Sequence, residues 1–320
     1  MSTSSSSSSP PTFAVIAPGA MGAAVGHRLT KAGCTVLTNL EGRSPATVER
    51  ARAAGMQDAS LGEIAARAQW VLSILPPSAA LEFAQSFRDA AAANVSAGNL
   101  TFVDCNAVSP ETAKKIARVF ETDDVNGERS ERRVRFVDAG IVGGPPTEGY
   151  DPAFYASADP RDEGLLDEFV ALGKWGLRIV PLRGEGAGIG DASALKMSYA
   201  GISKGFIGLT TTMILAAHAS SPATAQALLN ELADSQPVFL ERIARSIPGM
   251  LPKAYRWVGE MEEISSFVRD GLGDGEAHIH HGFAHLYDRI EKALPEGEDI
   301  KVLKKFVEDA KGVARKPGQK

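Results

Sequence analysis

The chain has 320 residues, 44% hydrophobic and 23% charged, which excludes disorder throughout and allows two domains, each with its own core. Lys and Arg number 34 against 39 Asp and Glu, a formal net charge of −5, so nothing draws the chain generally to phosphate backbones or anionic lipid. No nucleic-acid partner and no membrane partner are expected.

Cys34 and Cys105 are the two cysteines. Without a Cys-x-x-Cys pair they supply neither a disulfide framework nor a zinc site, which fits a reducing compartment, and a cytoplasmic location is expected. The apolar runs are read as too short for the roughly 18 residues of a membrane span. Residues 1–10 hold the run Ser4 to Ser9 followed by proline. A serine run buries nothing, so this stretch is expected to be a disordered tail.

From Thr12 to about Leu182, short apolar runs alternate with amphipathic stretches. Phe13 to Ala17 reads as a strand, 20–32 as a helix stopped by Gly33, and Thr35 to Asn39 as a second strand. Ser44 and Pro45 open a helix, the serine as cap and the proline at the first turn, and Gly55 closes it. Trp70 to Leu75 reads as a strand ended by Pro76 and Pro77, and 78–93 as an alanine-rich helix. Thr101 to Asp104 is a strand. Ser109 and Pro110 repeat the cap pair and start a helix to about Phe120. The charged run Glu131-Arg132-Arg133-Val134-Arg135 reads as a solvated loop leading into the strand Arg135 to Asp138. Ala153 to Ser157 and Leu177 to Pro181 are shorter strands. Such alternation implies an α/β Rossmann domain, doubly wound, with a mostly parallel sheet covered on both faces.

After Pro181 the pattern becomes helical. Residues 187–219 form one long stretch without an internal proline. Gly201, Gly205 and Gly208 lower its helix propensity, which suggests close packing against another backbone or within a dimer. The expected organisation is a tail at 1–10, a nucleotide-binding domain at 11–184 and an all-helical domain at 185–320, joined by a long interdomain helix.

The first strand runs into Ala17-Pro18-Gly19-Ala20-Met21-Gly22 and then a helix. A strand, a glycine turn and a helix whose first N–H groups face a pyrophosphate make a dinucleotide site. The first glycine of the usual G-x-G-x-x-G pattern is replaced by Ala17. At the end of the second strand, Glu41 would suit the ribose hydroxyls of NAD, whereas Arg43 and Ser44 would suit the 2′-phosphate of NADP. NADP is expected over NAD. The alternative is that Arg43 is a surface residue and Ser44 only a cap.

Four segments carry a family resemblance. Residues 17–22 resemble the G-x-G-x-M-G turn of β-hydroxyacid dehydrogenases. Asp104-Cys-Asn-Ala-Val-Ser-Pro110 resembles their segment near the nicotinamide. Asp138-Ala-Gly-Ile-Val-Gly-Gly144 resembles their D-A-P-V-S-G-G substrate segment, and Gly188 to Lys196 resembles the stretch bearing their catalytic lysine. The chain thus resembles the 6-phosphogluconate and 3-hydroxyisobutyrate dehydrogenase superfamily. The stretch 255–263 resembles a branch with an uncharacterised C-terminal domain. The resemblance implies a small-molecule substrate and a homodimer formed through the helical domain.

It also implies roles. Lys196 would be the proton shuttle, its pKa lowered beside a bound cationic nicotinamide; the plain alternative is a surface lysine. Leu75 and Pro76 would line the cofactor, or merely terminate a strand. Asn106 would position cofactor or substrate, or cap a turn. Gly143 and Gly144 would offer N–H groups to a substrate carboxylate, or form a simple turn before Pro145. Val142 stands where the family has serine. Ala200 stands where it has asparagine, with Ser198 and Tyr199 beside it. Val142 and Tyr199 would then shape the substrate pocket. Lys204, two turns beyond Lys196, would bind an anionic substrate or be solvated.

His278, His280, His281 and His285 cluster, but no metal site is expected; they read as a polar helix face or a substrate-facing wall. Glu260, Glu262 and Glu263 read as helix-surface charges. The leading expectation is an NADP-dependent oxidoreductase acting on a small hydroxy acid or its keto form. The replacements at Val142 and Ala200 keep open an NADPH-dependent imine or ketone reductase. A non-catalytic NADPH-binding regulator is the third reading.

Overall fold

The computed structural model describes residues 9–94, 100–121 and 134–314. Most of the expected tail, and Glu131 to Arg133, lie outside those residues. Among the described residues eight strands form one sheet: β1 (Thr12–Ile16), β2 (Thr35–Thr38), β3 (Gln57–Asp58), β4 (Trp70–Ser73), β5 (Leu100–Asp104), β6 (Val134–Val142), β7 (Ala153–Ser157) and β8 (Arg178–Pro181). Their order is β3-β2-β1-β4-β5-β6-β7-β8. Neighbours pair in parallel except β6 and β7, which are antiparallel. Between strands lie α1 (Ala20–Lys31), α2 (Pro45–Ala53), α3 (Leu61–Arg67), α4 (Pro77–Asn94), α5 (Pro110–Val119) and α6 (Glu163–Ala171).

Both faces of the sheet are buried, which is why its strands read as continuous apolar runs. Alternate residues serve opposite faces. Phe13, Val15, Leu72, Val103 and Val137 pack on one side with Val25, Leu29 and Phe169. Ala14, Ile16, Val71, Phe102 and Phe136 pack on the other with Ile64, Phe87 and Ile116. Cys34 and Cys105 are free and buried.

The caps behave as their chemistry requires. Ser44 Oγ accepts from the Thr47 amide at 3.3 Å, and Ser109 Oγ from the Thr112 amide at 3.3 Å. Sequence reading passed over α3, β3 and α6. For α3 the signal was present: Ser60 and Glu63 make a reciprocal capping box.

Helices follow through the rest of the described residues: α7 (Asp191–Ser220), α8 (Pro222–Ser235), α9 (Pro237–Met250), α10 (Ala254–Leu272), α11 (Asp274–Ala293) and α12 (Glu298–Ala314). The chain divides into two compact units, Met1–Met197 and Ser198–Lys320. The division falls inside α7, whereas the sequence pattern changes just before that helix.

In the second unit, α10 and α11 pack along one another and α12 packs on α8 and α9. The glycines of α7 are explained by rings on α11 rather than by another backbone. A Cβ at Gly208 would lie 2.7 Å from the Phe283 ring, and one at Gly201 would lie 3.1 Å from His280 Nε2.

Two expectations are corrected. Glu260 is not a surface charge: it is buried and ion-paired with Lys204. The apolar runs are not all short, because α7 is long and apolar enough to cross a membrane, with a mean hydropathy of 1.3 over 18 residues. One such helix is weak grounds for a span, since core helices of globular proteins share the property, and Met197, Ala200 and Ile214 of α7 are buried in the protein.

Candidate cofactor and active site

The expected site residues of the first unit gather at the carboxyl ends of the parallel strands, where ligands bind in open α/β sheets. The turn 17–22 follows β1, Leu75 and Pro76 follow β4, Asn106 follows β5, and Val142 to Gly144 end β6. The strand order reverses beside β1, between β2 and β4, so the glycine turn lies at the switch point.

The turn is tight. The Gly19 amide donates to the Ala17 carbonyl at 2.8 Å, and the Ala17 amide to the Ile74 carbonyl at 3.3 Å. A Cβ on Gly22 would lie 2.1 Å from the Ala17 oxygen, so only glycine lets α1 start this close to β1. A Cβ on Gly19 would meet nothing within 4 Å. Gly19 is the N-cap of α1 yet supplies no side-chain cap, and the first turn has no acidic residue. The first N–H groups of a helix lack intrahelical partners and carry the positive end of its dipole. An open, uncapped start beside a bare glycine fits the pyrophosphate of a dinucleotide.

At the end of β2, Arg43 is exposed and Ser44 caps α2. Sequence reading missed Arg50, one face further along α2. Its Nη2 donates to Thr47 Oγ1 at 2.9 Å and its Nε to the Pro18 carbonyl at 3.3 Å. The signal was two successive i,i+3 steps, Ser44 to Thr47 and Thr47 to Arg50, each joining neighbours on the helix surface.

Asn106 is buried and its amide is fully engaged. Oδ1 accepts from the Leu75 amide at 2.5 Å, while Nδ2 donates to Ser73 Oγ at 3.0 Å and to the Asp104 carboxylate. The side chain therefore ties the ends of β4 and β5 together and sets the course of the Leu75–Pro76 loop.

At the end of β6, Gly143 has φ +128, and a Cβ there would lie 2.0 Å from the Tyr150 hydroxyl. Gly144 is exposed with open space around it, and Val142 is half-buried. The start of α7 crosses β6 at Gly140, where a Cβ would approach both Lys196 Cβ and the Ala192 carbonyl to 2.9 Å. That approach lets Lys196 Nζ donate to the Ile141 carbonyl.

Asp138, buried in β6, fixes this crossing. Its carboxylate accepts from Ser193 Oγ at 2.7 Å, from the amides of Gly190 at 2.9 Å and Ser193 at 3.1 Å, and from Ser157 Oγ at 3.1 Å. Burial pushes its pKa up, against the lowering by those donors. The neighbouring Cys105 thiol is held protonated by burial and by the carboxylates of Asp104 and Asp138. Sequence reading quoted Asp138 only as part of a motif; an acid inside an apolar strand was the available signal.

Tyr199 and Lys204 belong to the second unit. Tyr199 is 55% exposed on α7. Lys204 is engaged: its ammonium pairs with Glu260 and lies 5.5 Å from the centre of the Trp257 ring. Tyr287 donates to the Lys204 carbonyl at 2.6 Å. His281 and His285 place their Nε2 atoms 3.2 Å apart, and burial lowers the pKa of His280. Among the described residues no group of three or more His, Cys, Asp or Glu is placed to hold a metal.

Residues 12–163 match the NAD binding domain of 6-phosphogluconate dehydrogenase, and residues 219–290 match a domain of unknown function, DUF1932. No curated protein matches the sequence. Among solved structures, a conserved protein of unknown function with structural similarity to 3-hydroxyacid dehydrogenases shares 28% identity, over 89% of this chain and 99% of that one, with a TM-score of 0.61. A conserved hypothetical protein from Sinorhizobium meliloti 1021 shares 18% identity, over 93% and 97%, with a TM-score of 0.59. A 3-hydroxyisobutyrate dehydrogenase from Salmonella typhimurium shares 16%, over 92% and 99%, with a TM-score of 0.61; at that identity the likeness is one of fold. The chain therefore joins an NAD-binding domain of the 6-phosphogluconate dehydrogenase type to a helical region carrying DUF1932, on the fold of 3-hydroxyacid dehydrogenase-like proteins.

Proposed function

We propose that the chain is an NADP-dependent oxidoreductase acting on a small hydroxy acid or its keto counterpart, with Lys196 as general acid/base. The carrying observation is the placement of Lys196. Its ammonium is held at the carboxyl end of β6 by Ile141, on the sheet edge that also bears the open glycine turn. When bound, the nicotinamide supplies the hydride chemistry. The protein must then hold the dinucleotide through the free N–H groups of residues 20–22 at the start of α1, guide it along Leu75 and Pro76, and move the hydroxyl proton through Lys196. Gly143 and Gly144 are the proposed seat of the substrate carboxylate, with Val142 beside the substrate. Engagement with Glu260 speaks for a structural Lys204.

The test is Lys196→Ala. Turnover should fall at least about a hundredfold, the usual worth of a positioned acid/base, while NADPH still binds by fluorescence titration. Unchanged turnover removes Lys196 from the mechanism.

The half-buried, apolar Val142 favours one second reading, reduction of an imine or ketone with NADPH. Assaying ketones with amines against hydroxy acids separates the two.

We also propose a homodimer through the helical unit. Along α7, Tyr199, Ile202, Leu209 and Met213 are each more than half exposed and recur on one face, an apolar stripe that a second copy would cover. Leu209→Glu should shift the sedimentation coefficient to that of a monomer. A cytoplasmic location is proposed from the two free thiols; secretion with a disulfide in fractionated cells would overturn it.

A further inference from the structure

Arg50 has a feature that a solvated surface arginine lacks: its guanidinium is held in place by two neutral acceptors on different elements. Nη2 donates to Thr47 on its own helix, and Nε donates across to Pro18 in the turn after β1. Thr47 Oγ1 in turn lies 3.0 Å from Ser44 Oγ, so Ser44, Thr47 and Arg50 form one polar ribbon along the start of α2. Among the described residues no carboxylate pairs with Arg50, and the adjacent acid, Glu49, is taken by Arg52 at 3.1 Å.

A guanidinium carries five N–H donors in a rigid fork, and two bonds leave three of them over. The charge thus sits, pre-positioned and uncompensated, between the glycine turn and α2. In a dinucleotide fold the adenosine ribose lies between that turn and the end of the second strand. Among the described residues Arg43, by contrast, is held through its main chain alone, by the amide donating to the Leu40 carbonyl at 3.1 Å. A fixed fork loses less entropy on binding a phosphate than a free side chain does.

We propose that Arg50 is a specificity-determining residue for the 2′-phosphate of the cofactor, with Ser44 and Thr47 as neighbouring hydroxyls and Arg43 as an outer contact. The proposal rests on the NADP reading above. The phosphate would gain charge-assisted bonds that NAD, with a bare 2′-hydroxyl, does not form.

Calorimetric titration of wild type, Arg50→Gln, Arg50→Lys and Arg43→Gln with NADP+ and with NAD+, at one salt concentration, tests it. Wild type should bind NADP+ the more tightly. Arg50→Gln should weaken NADP+ about tenfold or more, the usual worth of hydrogen bonds to a charged group, and change NAD+ less than about threefold. Arg50→Lys should recover only part of the loss, because the fork is gone, and Arg43→Gln should cost less than Arg50→Gln. An equal loss for both dinucleotides would make Arg50 a clamp on the turn, and no loss would make it a surface residue; either overturns the proposal. A wild type that prefers NAD+ overturns the cofactor reading before any variant is compared, and this proposal with it.

Discussion

Lys204 and Glu260 form an ion pair inside the helical unit, with their side chains only 13% and 11% exposed. Enclosing two charges is costly, and the pair holds only while both partners are present. Glu260→Ala should therefore cost about 3–5 kcal/mol in urea denaturation, because it strands an ammonium. The double change Lys204→Met with Glu260→Leu should recover most of that loss. If Glu260→Ala unfolds at the wild-type urea midpoint, the pair is solvated.

The two glycines of the turn make opposite predictions. Gly22→Ala places a methyl 2.1 Å from the Ala17 oxygen, so it should cost about 1–3 kcal/mol by overpacking and abolish NADPH binding. At Gly19 the backbone has φ −70 and a methyl meets no protein atom within 4 Å. Gly19→Ala should leave stability within about 0.5 kcal/mol of wild type yet weaken NADPH binding, because the methyl would project where the phosphates are proposed to lie. Unaltered titration of Gly19→Ala would move the pyrophosphate elsewhere.

Asp138 is the anchor of α7. Asp138→Ala removes the acceptor for two amides and two hydroxyls, all in the protein interior. Stranded buried donors cost about 1–3 kcal/mol each before relaxation. The variant should lose at least about 3 kcal/mol in the same denaturation assay, with kcat falling more than KM rises because Lys196 is displaced. A KM effect alone would separate Asp138 from the placement of Lys196.

Acid should loosen the contact between α11 and α12. Arg289 donates to both oxygens of Asp299, at 2.7 and 3.0 Å, and these bonds lower the Asp299 pKa. A depressed folded pKa means that the stabilisation is complete above the unfolded value, about 3.9, and is lost as pH falls through the folded value. Asp299→Asn should cost at most about 1 kcal/mol at pH 7, since Arg289 is 67% exposed and solvent screens it. Thermal melts of the two proteins should converge in strong acid; a gap that persists there would exclude an electrostatic origin.

The sheet was legible because burial on both faces writes strands as apolar runs, and because Ser-Pro pairs mark helix starts at 44–45 and 109–110. α3 was missed because its seven residues carry little periodicity, although Ser60 and Glu63 announced it. The glycine turn was legible because Gly22 has no sterically allowed substitute. Asp138, Arg50 and Glu260 were harder, because each works through a residue 55, 32 or 56 positions away in sequence, and no local pattern encodes such a partner. Asn106 was singled out, and its amide joins the ends of two strands.

The position of Lys196 depends on Asp138, Gly140 and Ile141, all of which precede the division at Met197. One residue inserted between Ser193 and Lys196 would turn the ammonium about 100° around the helix axis, away from Ile141. Insertions after Met197 would leave it where it is. The six-residue stretch from Asp191 to Lys196 therefore tolerates no change of length.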